Sequence, residues 1–343
     1  MKHSFGSDNH SGIHPLIMQA IVNENKNFAV AYGEDNYTKG VLSQLENLLG
    51  GDCTAFFVLN GTGANVVALS CFINSYNSIL APSTAHINVD ECGAPEKLSG
   101  SKIVPLFAEN GKVSAQTVKG SLFGFGFQHH AQPKILSISQ PTELGTLYTP
   151  EEIRELADLM HEHGGYLHMD GSRISNAAAY LNMPIKEFTA DCGVDVLSFG
   201  GTKNGLLMGE AVVVFNNSTN AAEILPYVRK QTTQLHSKSR FIAAQFEEYL
   251  KDDLYLKLAN HSNSMAQYLA KELEPIECIK LSKKVESNAV FAILPLELSE
   301  ELHKKHYFYV WDESINEVRW MCSFATTKED IDNFVNDIKE LLK

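Results

Sequence analysis

Two segments of this chain place candidate binding residues directly after apolar runs. One could bind an anion, and the other carries an acidic side chain. Asn60-Gly61-Thr62-Gly63-Ala64-Asn65 follows one such run and opens a helical pattern. Small residues at a helix start let backbone N–H groups approach an anion, and the helix dipole favours negative charge there. A plain glycine turn explains the same residues equally well. Asp170 follows a second apolar run, where its carboxylate could bind a metal, cap a helix or hydrogen-bond a cofactor.

Lys203 could supply a reactive amine. It lies in Gly200-Gly201-Thr202-Lys203-Asn204-Gly205, directly after the apolar run Val194–Ser198. A lysine hemmed in by glycines can be desolvated, which lowers its pKa and makes the amine a nucleophile. The alternative is a turn lysine that faces water. An anion site, an acid and a lysine in this order suit pyridoxal phosphate, which needs a phosphate cup, an acid for its ring nitrogen and a Schiff-base lysine.

The elements that must position these residues are indicated by short apolar runs alternating with helical patterns. Continuous apolar runs are typical of strands buried on both faces, and this alternation predicts an α/β domain with a mainly parallel seven-stranded sheet. A helix is predicted from Thr149-Pro150-Glu151-Glu152, a capping box with proline at the first helical position. The predicted strands are Thr54–Leu59, Ser78–Ala81, Lys102–Leu106, Lys134–Ser139, Tyr166–Met169, Val194–Ser198 and Ala211–Phe215.

A second, smaller domain is predicted at the carboxyl end of the chain. A long charged helix covers roughly Phe241–Glu274, with a break near Lys251-Asp252-Asp253. Three strands and a closing helix from Lys328 follow, which indicates an α+β arrangement. We therefore expect a large domain over residues 1–245, with a short N-terminal arm, and a small domain over residues 246–343.

Composition limits the class of protein. The formal net charge of −13 disfavours nucleic acid as a partner, because a negative surface repels phosphate backbones. Six scattered cysteines without a C-x-x-C pair favour reduced thiols. No apolar run is long enough to span a membrane, and the first residues lack the apolar core of a signal peptide. We therefore expect a cytoplasmic protein. We also expect no bound metal, since His161 and His163 are two residues apart at a helix end and point in different directions.

Motifs along nearly the whole chain resemble those of the low-specificity threonine aldolases, fold-type I pyridoxal enzymes of the β-eliminating lyase family. Three positions in two motifs depart from the common pattern: Thr202 and Asn204 replace the serine and glycine of Ser-Lys-Gly, and Ser172 replaces an alanine. The matching segments, in family order, are Ser7-Asp8-Asn9, Ala31-Tyr32-Gly33-Glu34-Asp35, Asn60-Gly61-Thr62-Gly63-Ala64-Asn65, Thr84-Ala85-His86, Asp90-Glu91-Cys92-Gly93-Ala94-Pro95, His168-Met169-Asp170-Gly171-Ser172-Arg173, Gly200-Gly201-Thr202-Lys203-Asn204-Gly205 and Arg319-Trp320-Met321-Cys322-Ser323.

The resemblance implies a pyridoxal 5'-phosphate site. It makes Lys203 the Schiff-base lysine, stacks His86 on the pyridine ring and pairs Asp170 with the ring nitrogen. The phosphate is held by Gly61 and Thr62. The implied cofactor-binding set, with Thr202 beside the phosphate, is Gly61, Thr62, His86, Asp170, Arg173, Thr202 and Lys203.

The resemblance also implies a substrate site. Ser7, Arg173 and Arg319 hold the substrate carboxylate. His129 matches a histidine near the substrate hydroxyl, although the adjacent His130 leaves that match open by one residue. A tyrosine, Tyr32 or Tyr37, reaches a neighbouring subunit's site in the homotetramer, a dimer of dimers, that the family implies.

The implied reaction is retro-aldol cleavage of threonine, allo-threonine and related β-hydroxy-α-amino acids to glycine and an aldehyde. His86, His129 or a water molecule that they hold takes the β-hydroxyl proton, and Lys203 and Asp170 complete the catalytic set. Other activities on the same scaffold remain open: β-elimination, phenylserine cleavage or a serine hydroxymethyltransferase-like reaction. A protein that binds the cofactor without catalysis is the remaining alternative.

Overall fold

The apolar runs form one seven-stranded sheet in the computed structural model, which describes residues 4–215 and 220–343. The strand order is β1-β7-β6-β5-β4-β2-β3. Strands β2 to β6 run parallel, and β7 lies antiparallel between β1 and β6. The sheet is therefore mainly parallel, as predicted. Its strands are β1 (Cys53–Val58), β2 (Asn77–Pro82), β3 (Lys102–Leu106), β4 (Gln132–Ser139), β5 (Tyr166–Gly171), β6 (Val196–Phe199) and β7 (Glu210–Phe215).

Helices cover the sheet and bury its apolar strands. Every residue of β2, β6 and β7 is buried, which explains why these strands read as continuous apolar runs rather than as alternating ones. The helices of this part of the chain are α1 (Pro15–Glu24), α2 (Asn36–Leu48), α3 (Gly61–Ser70), α4 (His86–Val89), α5 (Ala94–Ser99), α6 (Ala115–Ser121), α7 (Pro150–Glu162), α8 (Ile174–Leu181), α9 (Ala221–Gln231) and α10 (Arg240–Leu250).

Helix α7 shows how closely local sequence controls an element. The Thr149 side chain accepts from the Glu152 backbone, and the Glu152 carboxylate accepts from the Thr149 backbone, so the predicted capping box is formed. Ile153, Leu156, Ala157 and Met160 are buried on one face. That face packs in the main core, between the sheet and the outer helices.

The remaining strands form a small antiparallel sheet of order β10-β11-β9-β8, packed against α11 and α13. The predicted break in the long helix is present: a 3-10 turn at Lys251–Asp253 separates α10 from α11. The elements are α11 (Leu254–Leu273), β8 (Lys280–Leu281), β9 (Ala289–Ile293), α12 (Leu296–His303), β10 (Tyr309–Asp312), β11 (Glu317–Met321) and α13 (Lys328–Leu341).

The boundary between the two predicted domains can be compared with how α10 and the N-terminal arm pack. The proposed division at 245/246 lies within α10, whose buried Phe246 and Tyr249 belong to the core of the large sheet. Phe5, in the N-terminal arm, packs instead in the core of the small sheet. Asp8 of the same arm accepts from Arg173, which follows β5, so the arm contacts both sheets. The division at 245/246 stays a proposal. No helix in the described ranges is long and apolar enough to cross a membrane.

Candidate active site

A cavity of about 650 Å³ opens where the carboxyl ends of the parallel strands face the small sheet. Ligands commonly bind at this edge of an open α/β sheet. A smaller cavity of about 30 Å³ continues inward and is lined by His86, Asp170, Arg173 and Lys203, among others. The larger cavity is lined by Ser7, Asn9, Ser83, Thr84, His86, Val89, Asp90, Glu143, Arg173, Lys203, Tyr309, Val310, Trp311 and Arg319.

Lys203 lies on a turn that is fixed from both sides. Before it, the backbone N–H of Gly201 donates to the carboxylate of Glu210, and after it Asn204 donates to the hydroxyl of Tyr249 at 2.7 Å. Burial and the nearby Arg173 guanidinium lower the pKa of Lys203. Its ammonium makes no hydrogen bond or ion pair with the described residues of this chain. A lysine in this environment can lose its proton and act as a nucleophile.

Asp170 is the penultimate residue of β5, and both of its carboxylate oxygens accept hydrogen bonds. Oδ1 accepts from the Ser172 backbone at 2.9 Å and from its hydroxyl at 2.7 Å, and Oδ2 accepts from Asn65 Nδ2 at 2.7 Å. Burial by itself raises the pKa of Asp170, but the Lys203 cation and these hydrogen bonds outweigh burial and hold it below its usual value. Asp170 does not cap helix α8, whose N-cap is Arg173; its carboxylate fixes the Ser172 turn and lies at the cavity.

His86 begins α4, directly after the loop that follows β2. Its backbone N–H donates to Glu143 Oε1 at 2.9 Å, and its ring Nδ1 lies 2.8 Å from Glu91 Oε1. The hydrogen bond with Glu91 raises the pKa of His86, against the opposing effects of burial and of the Lys203 cation. Its other ring nitrogen, Nε2, makes no hydrogen bond with the described part of the chain.

The two predicted arginines differ in their partners. Arg173 donates to both carboxylate oxygens of Asp8, at 2.6 and 2.9 Å. Arg319 donates only from Nη2, to the Gly6 carbonyl at 3.2 Å, while its buried Nε has no partner among the described residues. Its guanidinium lies over the rings of Tyr309 and Trp311, and burial lowers its pKa to about 10. Arg319 is therefore a cation with donor capacity to spare at the cavity.

Helix α3 begins beside Asp170. Its N-cap is Asn60, whose side chain accepts from the Gly63 backbone, so the first N–H groups of the helix, on Gly61 and Thr62, have no intrahelical partner. The nearest atom to a side chain built on Gly61 is Ser172 Oγ at 3.6 Å. The helix start therefore lies next to the smaller cavity and suits an anion.

Comparison with known proteins supplies the family. The model of the family described as Beta-eliminating lyase matches residues 4–295. The low specificity L-threonine aldolase of Pseudomonas aeruginosa is 38% identical over 98% of this chain and 96% of its own length. This chain belongs to the beta-eliminating lyase family. A Leishmania major threonine aldolase structure superposes with a TM-score of 0.93 at 29% identity, covering 99% of this chain and all of that one. A putative L-allo-threonine aldolase from Listeria monocytogenes, 16% identical with a TM-score of 0.74, shares the fold over 99% of this chain and 96% of that one.

The family is pyridoxal-phosphate-dependent, and this chain is a lyase of that kind. The residues present fit the cofactor. The buried hydroxyl of Thr202, next to Lys203, lies near the Glu210 carboxylate but makes no hydrogen bond of good geometry with the described residues, so it can turn to an anion. The free N–H groups of Gly61 and Thr62, the charged Asp170 and the ring of His86 supply the other contacts that the cofactor needs.

Six predicted residues line neither cavity within one chain: Gly61, Thr62 and Thr202 lie beside the smaller one, and three others lie elsewhere. His129 is exposed in the segment before β4, at the end of that strand opposite to the carboxyl ends that form the cavity, and its ring lies against Phe127. Tyr32 is exposed and lies against Lys230. The hydroxyl of Tyr37 donates to Glu247 at 2.8 Å. The predicted roles of His129, Tyr32 and Tyr37 therefore depend on a neighbouring chain.

The sequence analysis assigns no role to four acids near the site: the buried Asp8, Glu91 and Glu210 and the half-buried Glu143. Asp8 and Glu91 lie inside matching motifs, and Glu210 opens a strand of apolar residues, which is a signal in itself because an unpaired buried charge is costly. Burial raises the pKa of Glu210 to about 7. His168, by contrast, is a core residue between the hydroxyls of Ser137 and Ser198.

Proposed function

We propose that this chain cleaves L-threonine and L-allo-threonine, and related β-hydroxy-α-amino acids, to glycine and an aldehyde. The observation that carries the proposal is the incompletely paired Arg319 guanidinium in the same cavity as the desolvated Lys203 amine. A planar guanidinium suits a carboxylate, because two parallel hydrogen bonds can form. The relatives that are named low specificity L-threonine aldolases match nearly the whole chain.

Each residue of the site then has a distinct task. Pyridoxal phosphate, when bound, supplies the electron sink for breaking the Cα–Cβ bond, and Gly61, Thr62 and Thr202 hold its phosphate. Asp170 remains charged and pairs with a protonated ring nitrogen. Lys203 provides the amine that binds the cofactor.

The substrate is oriented by Arg319, with Ser7 and Arg173 beside it. A carboxylate fixed on Arg319 sets the rotation about Cα, so that the bond to be broken is held in one orientation. The Nε2 of His86 is free to accept the β-hydroxyl proton. Arg173 supports the site while paired with Asp8.

Product analysis tests the proposed reaction. The purified protein is incubated separately with L-threonine, L-allo-threonine, phenylserine and serine, and glycine, aldehydes, pyruvate and ammonia are measured. We expect glycine and acetaldehyde from both threonines. Pyruvate with ammonia would indicate β-elimination instead, and binding of the cofactor without turnover of any amino acid would indicate a cofactor-binding protein.

The lysine assignment is tested in parallel. Borohydride reduction followed by peptide mapping should place the pyridoxyl label on Lys203. Lys203→Ala should abolish cleavage, whereas Lys186→Ala should leave it unchanged, because Lys186 pairs at the surface with Asp191 at 3.5 Å. A label on another lysine contradicts the assignment.

We also propose a cytoplasmic homotetramer. Exposed apolar side chains occur in two separate segments, 16–30 and 123–127, and both would be covered in a dimer of dimers. His129 lies next to the second segment, so assembly is the arrangement that could bring it to a neighbouring chain's cavity.

A further inference from the structure

Glu91 is a buried carboxylate between helix α3 and the ring of His86. Its side chain has no exposed surface. Oε1 lies 2.8 Å from Asn65 Nδ2 and 2.8 Å from His86 Nδ1. The same Asn65 nitrogen lies 2.7 Å from Asp170 Oδ2. A continuous chain of hydrogen bonds therefore joins His86 to Asp170 through Glu91 and Asn65.

The polarity of this chain follows from its donors and acceptors. Carboxylates only accept, so the Asn65 atom that contacts both Glu91 and Asp170 must be its NH₂ group. Glu91 Oε1 accepts from Asn65, and it can be bonded to the ring only if His86 Nδ1 carries a proton. In a neutral imidazole with Nδ1 protonated, Nε2 keeps its lone pair.

We propose that Glu91 is a positioning residue, which holds His86 with Nδ1 protonated and Nε2 as the proton acceptor, aligned with Asp170 through Asn65. This inference rests on the proposed aldol cleavage, because it names the atom that takes the β-hydroxyl proton. It also gives a function to the buried acid at position 91, whose partners are the Asn65 amide and the His86 ring.

The charges around His86 set the sign of the expected pH dependence. Glu91 and Asp170 favour the protonated ring, Lys203 disfavours it, and Glu143 accepts from the backbone of His86. A base must be neutral, so activity falls as the pH drops through the pKa of His86. Removing the charge of Glu91 lowers that pKa, and the acid limb of the activity profile should move to lower pH.

Solid-state ¹⁵N spectra of the full-length, histidine-labelled protein without cofactor test the tautomer directly. The His86 signals are assigned by their loss in His86→Asn. At a pH where the ring is neutral, we expect Nδ1 to be protonated and Nε2 to be unprotonated. A wild-type ring that is protonated on Nε2 overturns the proposal, whether or not the protein cleaves threonine.

Glu91→Gln tests the charge while keeping an oxygen that can accept from Nδ1. We expect a lower His86 pKa in the cofactor-free spectra, a kcat reduced about ten- to a hundredfold and an acid limb moved to lower pH. Glu96→Gln is the matched control, since Glu96 is exposed and accepts from the Ile103 backbone at 3.1 Å. A purely structural role would lower kcat without moving either the His86 pKa or the acid limb, and that result contradicts the proposal.

Discussion

Arg319 shows at the scale of one residue how burial prepares a binding group. An alternative is a surface arginine paired with Glu313 or Glu317, which would contribute about 0–1 kcal/mol. The structure instead pairs Glu317 with Lys283 and leaves Arg319 Nε without a partner among the described residues. The guanidinium is thus held by aromatic rings rather than by an acid, and its fork remains available for a substrate carboxylate.

Substitution of Arg319 should separate substrate binding from cofactor binding. A charge-assisted pair in a closed site contributes on the order of 1.5–3 kcal/mol, so Arg319→Ala should raise the KM for threonine roughly ten- to a hundredfold. Arg319→Lys should recover part of the loss, because an ammonium cannot form the planar fork. Steady-state kinetics and a cofactor titration measure the two effects. Lost cofactor affinity with an unchanged KM would place Arg319 on the phosphate side.

At the scale of elements, the turn after β6 depends on a close approach between neighbouring strand ends. The backbone N–H of Gly200 donates to the Gly171 carbonyl at 2.9 Å. A methyl group on Gly200 would lie 2.2 Å from the Ser172 carbonyl oxygen, which belongs to the segment that carries Asp170. A side chain does not fit at position 200, so glycine is required there. Its absence of a side chain lets the turn that carries Lys203 approach the turn that follows Asp170.

Gly200→Ala should lower the thermal midpoint by several degrees, since overpacking against backbone costs about 3 kcal/mol. The matched change Gly120→Ala lies inside α6 with no atom within 4 Å of the added methyl group. It should leave the midpoint unchanged or raise it by the equivalent of about 0.5 kcal/mol, because alanine favours a helix over glycine. Scanning calorimetry compares the two variants. Equal thermal midpoints for the two variants would show that the turn after β6 can shift to accept the methyl group without losing stability.

At the scale of the whole molecule, the exposed apolar side chains predict assembly. Phe28 is fully exposed and Phe125 is 45% exposed, in segments that do not overlap in sequence. Burial of an apolar side chain contributes roughly 1.5–3 kcal/mol, so covering both segments would stabilise a tetramer.

Light scattering should give the wild-type protein the mass of four chains. Phe28→Asp and Phe125→Asp should each reduce this mass, because each places a charge in one proposed interface. Leu342→Asp, at the exposed carboxyl end, is the control and should not change it. A wild-type monomer that cleaves threonine would refute both the tetramer and the roles that depend on a neighbouring chain.

The sequence by itself determined the seven strands of the large sheet, helix α7 and the reactive residues that follow the strands. The caps of α7, the break at Lys251–Asp253 and the seven sheet strands are encoded within short windows, where apolar periodicity and capping side chains act locally. Lys203 and Asp170 were found because the carboxyl ends of parallel strands meet at one edge.

The tertiary structure alone decided which side chains meet across long stretches of chain. Asp8 pairs with Arg173 and Asn65 with Asp170, and β7 runs antiparallel between β1 and β6. Local periodicity carries no information about these pairings, because strand order and direction are fixed by how the whole sheet buries its faces. For the same reason, the resemblance of His129 to a family histidine could not show where this residue lies. In its own chain it stands at the amino end of β4, opposite the edge of the sheet that carries Lys203.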